Sequence, residues 1–389
     1  MDKKKLLVIF LIVFIDLVGF GIVIPILPYY SQTFGAKGTE LGWLMSSYSL
    51  MQFLIAPIWG VVSDRVGRRP ILLISMLGAS ASMCLMGFAQ SLIWLFVARL
   101  LAGTFGANIS TAYAYIADIT DDSNRAKGMG VIGAGFGLGF IFGPAIGGIL
   151  SQWGYSVPMF AGAIISLFNF VLAFFILKEP NLSEEERSAH RTRKFDWNAL
   201  KITMGNRKTA IISLVFFLVT TAIAQMETTF ALFLKAHFRM DAKQAGYLLA
   251  LSGIIMVIVQ GGLIGRLSKR FGERSLIFTG LAMTAFALWF FGDTVHFYVL
   301  LACLIVLSLG NSLLHPSLSS SMSKASDKNV YGATMGIFHS ASSLARVVGP
   351  PIAGITYDSV HSAPFQIGSV LLIGAIVLFS FFPRPQVNT

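Results

Sequence analysis

The sequence predicts an all-α membrane protein of twelve transmembrane helices, built as two related six-helix halves. Three observations carry that prediction. The 389-residue chain is 55% hydrophobic and 12% charged, with a mean hydropathy of +0.73, which no ordinary soluble domain matches. Its apolar runs are about 20 residues long, the length that crosses a bilayer. Short segments also recur at one offset. Met129-Gly130 returns as Met335-Gly336, Gly143-Pro144 as Gly349-Pro350, and Gly148 as Gly354, each 206 positions later. A constant offset of this kind marks internal structural repeats.

The first span is placed at about 6–29. Met1-Asp2-Lys3-Lys4-Lys5 followed by an apolar run has the look of a signal peptide. No small-residue cleavage site follows, however, and the run continues through Asp16 to Pro28, so the segment is read as a retained helix. Spans two to four fall at about 41–62, 70–89 and 92–116. The fifth, at about 126–150, contains Gly133, Gly135, Gly137, Gly139 and Gly143, with Pro144 as a bend site. In a soluble helix each interior Gly costs about 1 kcal/mol against Ala. In a bilayer small residues let backbones approach, so this helix reads as a grooved contact surface. The sixth span lies at about 158–177.

Lys178 to Lys208 is the one long polar stretch, with Glu184-Glu185-Glu186-Arg187 and Arg191-Thr192-Arg193-Lys194, and reads as a solvated linker. It divides the chain into a half at 1–178, a linker at 179–208 and a half at 209–389. The remaining spans fall at about 209–235, 243–267, 275–292, 297–319, 330–357 and 363–382.

The net charge of +11 does not indicate nucleic acid, because the basic residues sit in short clusters between apolar runs. Of the 29 Lys and Arg residues, 23 fall on the side of the N-terminus and four (Lys37, Lys235, Arg239, Lys243) on the other. By the positive-inside rule, that asymmetry puts both termini in the cytoplasm. Cys84 and Cys303 lie inside apolar runs with no ligand-like spacing and read as buried hydrophobes. No metal cluster, paired nucleophile and base, or strand-borne phosphate loop is present, so an enzyme is not expected.

The turn after the second span reads Gly60-Val-Val-Ser-Asp64-Arg65-Val-Gly67-Arg68-Arg69-Pro70. It resembles the signature of the major facilitator superfamily, and a decayed copy stands at Gly265-Arg-Leu-Ser-Lys269-Arg270-Phe-Gly272-Glu273-Arg274. A Gly turn joins two helices there, and Asp64 can pair with bases or face a helix N-terminus. Such contacts would latch one conformation. The fifth span, with Gly139, Gly143, Pro144, Gly147 and Gly148, resembles the signature of the antiporter branch. Arg99-Leu-Leu-Ala-Gly103-Thr-Phe-Gly106 is similar to another motif of that branch. Asp16-Leu-Val-Gly19-Phe-Gly21 through Pro28, and Ala114-Tyr-Ile-Ala-Asp118, resemble tetracycline and multidrug exporters.

Four charges remain inside spans: Asp16, Arg99, Glu227 and Arg346. Charge at membrane depth costs several kcal/mol unless paired or facing water, so each is a functional candidate. Arg99 is the expected partner of Asp16, and the resemblance implies that such an Arg takes part in proton transfer. Glu227 resembles an acidic position of multidrug exporters. Arg346 could neutralise either acid or meet an anionic substrate. An acid in apolar surroundings holds its proton more tightly, and a nearby Arg opposes that. A site whose partner changes between conformations would bind and release a proton as it switches. Tetracycline exporters usually carry a further acid in the ninth span, and Leu276 to Phe291 has none, which leaves Asp16 and Glu227 as the coupling acids.

His315 and His339 are either proton relays or satisfied interior histidines. The expected cavity wall includes Gln52, Asn108, Tyr113, Asn169, Gln260 and Asn311 together with His315 and His339, among abundant Phe and Met that suit varied apolar molecules. The expected function is proton-coupled export of small amphipathic compounds by a monomer in a bacterial inner membrane. The proton is the coupling ion, with no other cofactor. A lipid, lysolipid or sugar is the alternative cargo within the same fold, and a non-transporting receptor is the alternative class.

Overall fold

The computed structural model describes residues 3–119, 122–180, 205–326 and 331–382, and these are helical, with no strand among them. In the first half, α1 (Lys3–Thr33), α2 (Gly38–Val66) and α3 (Arg68–Gly87) are the first three spans. α4 (Leu92–Phe105) and α5 (Ile109–Ile119), joined by a 3-10 turn at Gly106–Asn108, form the fourth. α6 (Asp122–Leu150) and α7 (Ser156–Ile176) are the fifth and sixth. The second half contains α8 (Arg207–Phe238), α9 (Ala242–Ile258), a π-turn over Val259–Leu263 and α10 (Ile264–Phe291). α11 (Phe297–Ala325), α12 (Tyr331–Ser359) and α13 (Ala363–Ser380) complete it. Gly272, with φ 75° and ψ 154°, breaks α10 into the end of the eighth span and the whole of the ninth. Most of the expected linker, 181–204, lies outside the described residues.

Two spans differ from the expected pattern. The fourth is interrupted at Gly106–Asn108, where the Tyr48 hydroxyl occupies the place a β-carbon on Gly106 would take. The eighth carries the π-turn over Val259–Leu263.

Each half repeats one packing plan. α1 lies on α6 and α7, α2 and α3 on α4, and α3 on α7. In the second half α8 lies on α12 and α13, α9 and α10 on α11, and α10 on α13. Phe175, Ile93, Ile164 and Phe286 stay exposed on the outside, as side chains facing lipid do. The turns are repeated too. Gly67 adopts φ +115° and Gly272 φ +75°, a region that L side chains avoid.

The glycines of α6 form two stripes. Gly135, Gly139, Gly143 and Gly147 meet α1 at Val13, Leu17, Gly21 and Ile22. Gly137 and Gly148 meet α9 at Val257 and at Ala242–Gly246. Pro144 presents its carbonyl to Gly246. Gly133 lies outside the described side chains. α12 sits in the same way between α8, at Gly349, and α2, at Gly354.

The halves therefore join along two seams, α6–α9 and α2–α12. The second is closed at one end only. Gly38 meets Gly354, Gly42 meets Pro350, and the Ser46 hydroxyl donates to the Val347 carbonyl at 2.6 Å. Asp358 closes this end by accepting from Gly38 N and Thr39 N, both at 2.8 Å, and from Thr39 Oγ1 at 2.6 Å. Further along, the facing stripes part. Pro57, Gly336 and Ser340 are exposed, and the space beside Gly60, Gly261, Gly262, Gly265 and Gly336 is open. The result is a central cleft, shut at the end carrying Gly38 and Asp358 and open at the end carrying the Gly67 turn.

Candidate functional site

The charged residues of the cleft come from four helices. Arg346, on α12, donates through Nη1 to Glu227 Oε2 of α8 at 3.0 Å. The two side chains remain 41% and 25% exposed, so the pair is open to water inside the protein. Ion pairs open to water contribute about 0–1 kcal/mol, whereas breaking a fully buried pair costs about 3–5 kcal/mol. This contact is therefore one that a proton or a ligand can displace.

In the first half, Arg99 is buried, and its guanidinium lies 4.4 Å from the centre of the Tyr48 ring. Its Nε has no hydrogen-bond partner among the described residues. The close crossing of α2 and α4 produces this contact: a β-carbon on Gly103 would strike the Tyr48 carbonyl. A desolvated cation–π contact contributes about 2 kcal/mol, which offsets part of the cost of burying the charge. Tyr48 is also within electrostatic reach of Asp16 and of Arg346. Asp16 and Arg99, the expected couple, thus share Tyr48 as a neighbour, and Arg346 of the second half reaches the same side chain.

His315 is enclosed by protein yet exposed, as a residue lining a cavity is. It lies within electrostatic reach of His339 and Arg346, with Phe216 and Phe338 packed around the two rings. Gln52 donates to the Gly106 carbonyl at 3.0 Å, one turn from Tyr48. Gln260, on the π-turn, and Asn311 are half-buried. Asn169 departs from its expected place at the cavity wall. It is fully buried within the first half, and its Nδ2 donates to the Ile12 carbonyl at 2.8 Å, tying α7 to α1. The side chains of Asn108 and Tyr113 lie outside the described residues.

The loop from Gly60 to Pro70 is held within its own half. Arg68 Nη2 contacts Asp64 at 2.6 Å, and its Nε donates to Asp118 at 3.0 Å. Arg69 donates to the Leu177 and Phe174 carbonyls at the end of α7, while Arg65 is exposed. Glu179 accepts from the N–H groups of Arg68 and Arg69 at 2.7 and 2.9 Å, so a carboxylate caps the start of α3. The second half repeats this arrangement with signs exchanged. Glu273 contacts Lys324 at 2.7 Å and the Ser320 hydroxyl, and Arg274 donates to the Phe382 carbonyl.

Tyr48, Glu179 and Asp358 are the participants that the sequence reading missed. For Tyr48 a signal existed: Ser46-Ser47-Tyr48-Ser49 is a polar patch inside an apolar span. Among the described residues no group of three or more His, Cys, Asp and Glu side chains could hold a metal ion.

Comparison with known proteins places this fold in a family. The family model described as Major Facilitator Superfamily matches residues 9–264 and 260–389. The tetracycline resistance protein, class C, of Escherichia coli is 32% identical, with 98% of this chain and 96% of that protein covered. Multidrug resistance protein 1 of Bacillus subtilis is 30% identical, with 99% and 98% covered. A solved bacterial homologue of the human lysosomal transporter Spinster shares the fold with a TM-score of 0.81, at 15% identity and 98% and 96% coverage. The human organic anion transporter TETRAN does so with a TM-score of 0.74, at 24% identity and 97% and 100% coverage. Twelve spans in two repeated halves, the Gly60–Pro70 turn and these full-length matches lead to one assignment: the chain belongs to the Major Facilitator Superfamily.

Proposed function

We propose that the protein is a proton-coupled exporter of small amphipathic compounds, working as a monomer by alternating access. The observation that carries this reading is the half-exposed Glu227–Arg346 pair, set in a cleft opposite Asp16, Tyr48 and Arg99. The positive-inside count assigns the open end of the cleft to the cytoplasm of a bacterial inner membrane, with both termini on that side. Halves at 1–178 and 209–389, with the 179–208 linker between them in sequence, then rock against each other around the cleft.

Glu227 and Arg346 sit on helices of the same half, so rocking alone does not part them. Their exchange must be chemical. A cationic amphiphile competes with Arg346 for the carboxylate, and a proton on Glu227 displaces both. Asp16 performs the same exchange in the first half, beside Arg99 and Tyr48. The proton serves as the coupling ion, and no other cofactor is needed. Full-length likeness to tetracycline and multidrug resistance proteins supports drugs as the cargo. A second reading has two observations in its favour: among the described residues Arg99 Nε has no hydrogen-bond partner, and the Arg346 side chain is 41% exposed, which suits an anionic amphiphile such as a lysolipid.

The test uses purified protein in acid-loaded liposomes containing a pH-sensitive dye, to which drugs, lysolipids and sugars are added singly. Substrate-triggered proton movement that disappears in Asp16→Asn or Glu227→Gln is expected. Binding of a compound without proton movement would overturn the coupling, and the class of the bound compound would decide between the two cargoes.

A further inference from the structure

At the closed end of the cleft, two histidines that the transport site does not use face each other. His237 stands in the last turn of α8, and His361 in the turn between α12 and α13. His361 Nδ1 and His237 Nε2 are 3.3 Å apart, with the rings nearly perpendicular. Each imidazole lies on an aromatic ring. His237 stacks on Phe233 at 4.4 Å, and His361 on Tyr357 at 4.6 Å. Phe233 and Tyr357 are both buried, and Phe233 is packed further by Phe291 and Phe365, so the supports under the imidazoles are fixed. The histidines themselves are exposed.

We infer that His237 and His361 form a two-imidazole site for a late first-row divalent cation such as Zn²⁺, Ni²⁺ or Cu²⁺. Zn–N bonds of about 2.0–2.1 Å at a tetrahedral angle place two ligand nitrogens about 3.3 Å apart, which is the separation seen here. Imidazole nitrogens suit these ions. Both rings are needed in their neutral form. The ring that now donates takes its other tautomer, which frees that nitrogen's lone pair for the ion, and water completes the coordination shell.

The neighbouring charges are already engaged. Lys235 is turned away to Gln32 Oε1 at 2.6 Å and to the Tyr29 ring, and the Asp358 carboxylate is held by Gly38 and Thr39. Arg239, exposed after the end of α8, is free to accommodate the incoming charge by moving into solvent. Both ligands belong to the second half, so the site is kept whichever way the halves rock. A bound ion would pin the end of α8 to the turn that follows Asp358.

The experiment titrates metal-stripped, full-length protein in detergent with ZnCl₂ by calorimetry and examines a Cu²⁺-loaded sample by electron paramagnetic resonance. One saturable equivalent with two-nitrogen coordination is expected. His237→Ala and His361→Ala should each weaken Zn²⁺ by at least about tenfold, since even changes outside the ligand set cost about 10–100-fold. His190→Ala and His296→Ala should leave it unchanged. Absence of a saturable equivalent, or binding indifferent to the His237 and His361 changes, would overturn the site. A count other than two nitrogens on the unaltered protein overturns the site even if a variant folds poorly, and His315→Ala with His339→Ala should leave the two-nitrogen signal in place.

Discussion

Arg346 Nη1 rests 3.0 Å from Glu227 Oε2, and both side chains keep contact with solvent although they lie at membrane depth. A pair so placed contributes little to stability and much to switching. Glu227→Gln is therefore expected to end substrate-driven proton movement while shifting the melting temperature by no more than about 4 °C. Calorimetry beside the liposome assay checks both. A large fall in melting temperature would mean that the pair is structural cement.

Tyr48 separates two roles in one side chain. Tyr48→Phe keeps a ring under Arg99 and should retain transport. Tyr48→Ala removes a contact of about 2 kcal/mol and leaves a buried guanidinium without its platform, so transport should fall at least tenfold. Equal activity of the two variants would remove the ring from the mechanism.

The exchanged signs at the two glycine turns allow a direct graft. Arg68 pairs with Asp118 in the first half, whereas Glu273 pairs with Lys324 in the second. Arg68→Glu alone should abolish transport by facing Asp64 and Asp118 with like charge. Adding Asp118→Lys restores an opposite-charge partner of the kind Lys324 gives Glu273, although Asp64 stays where the second half has Lys269, and should recover a measurable part. Failure of the double variant would show that Arg68 is needed for its contact with Asp64 or Ser63 rather than for Asp118.

Asp358→Asn weakens a carboxylate cap across the seam, a change worth about 0.5–2 kcal/mol. The cleft should then open more often at that end, raising thiol labelling of Ser46→Cys by a membrane-impermeant reagent several-fold. Unchanged labelling would show that the glycine contacts alone close the seam.

Much of this was legible in the sequence because it is local or periodic. The apolar runs gave the spans, and the glycines of α6 appeared as a stripe because every third or fourth residue shares a face. Partners separated by long stretches of chain were not legible. Asp358 acts on Gly38, and Glu179 on Arg68, through contacts that no motif spacing encodes. Asn169 misled for a physical reason: a polar residue in a span suggests a cavity, but here it satisfies a main-chain carbonyl between tightly packed helices.

The π-turn coincides with a one-residue change in the spacing between equivalent positions of the two halves. Before it, equivalent positions are 204 apart: the capping contacts of Lys37 with Glu40 and Asp241 with Gln244, and the seam glycines Gly42 and Gly246. Immediately after it, through the glycine turn, they are 205 apart, as Gly60 and Gly265, Gly67 and Gly272, and Arg68 and Glu273 show, and further on the spacing reaches the 206 of Gly143 and Gly349. One added residue in an α-helix is what a π-bulge accommodates. The eighth span thus holds one residue more than the second span while the glycine turn that follows keeps its form, and deleting Gly261 should restore an unbroken α-helix there.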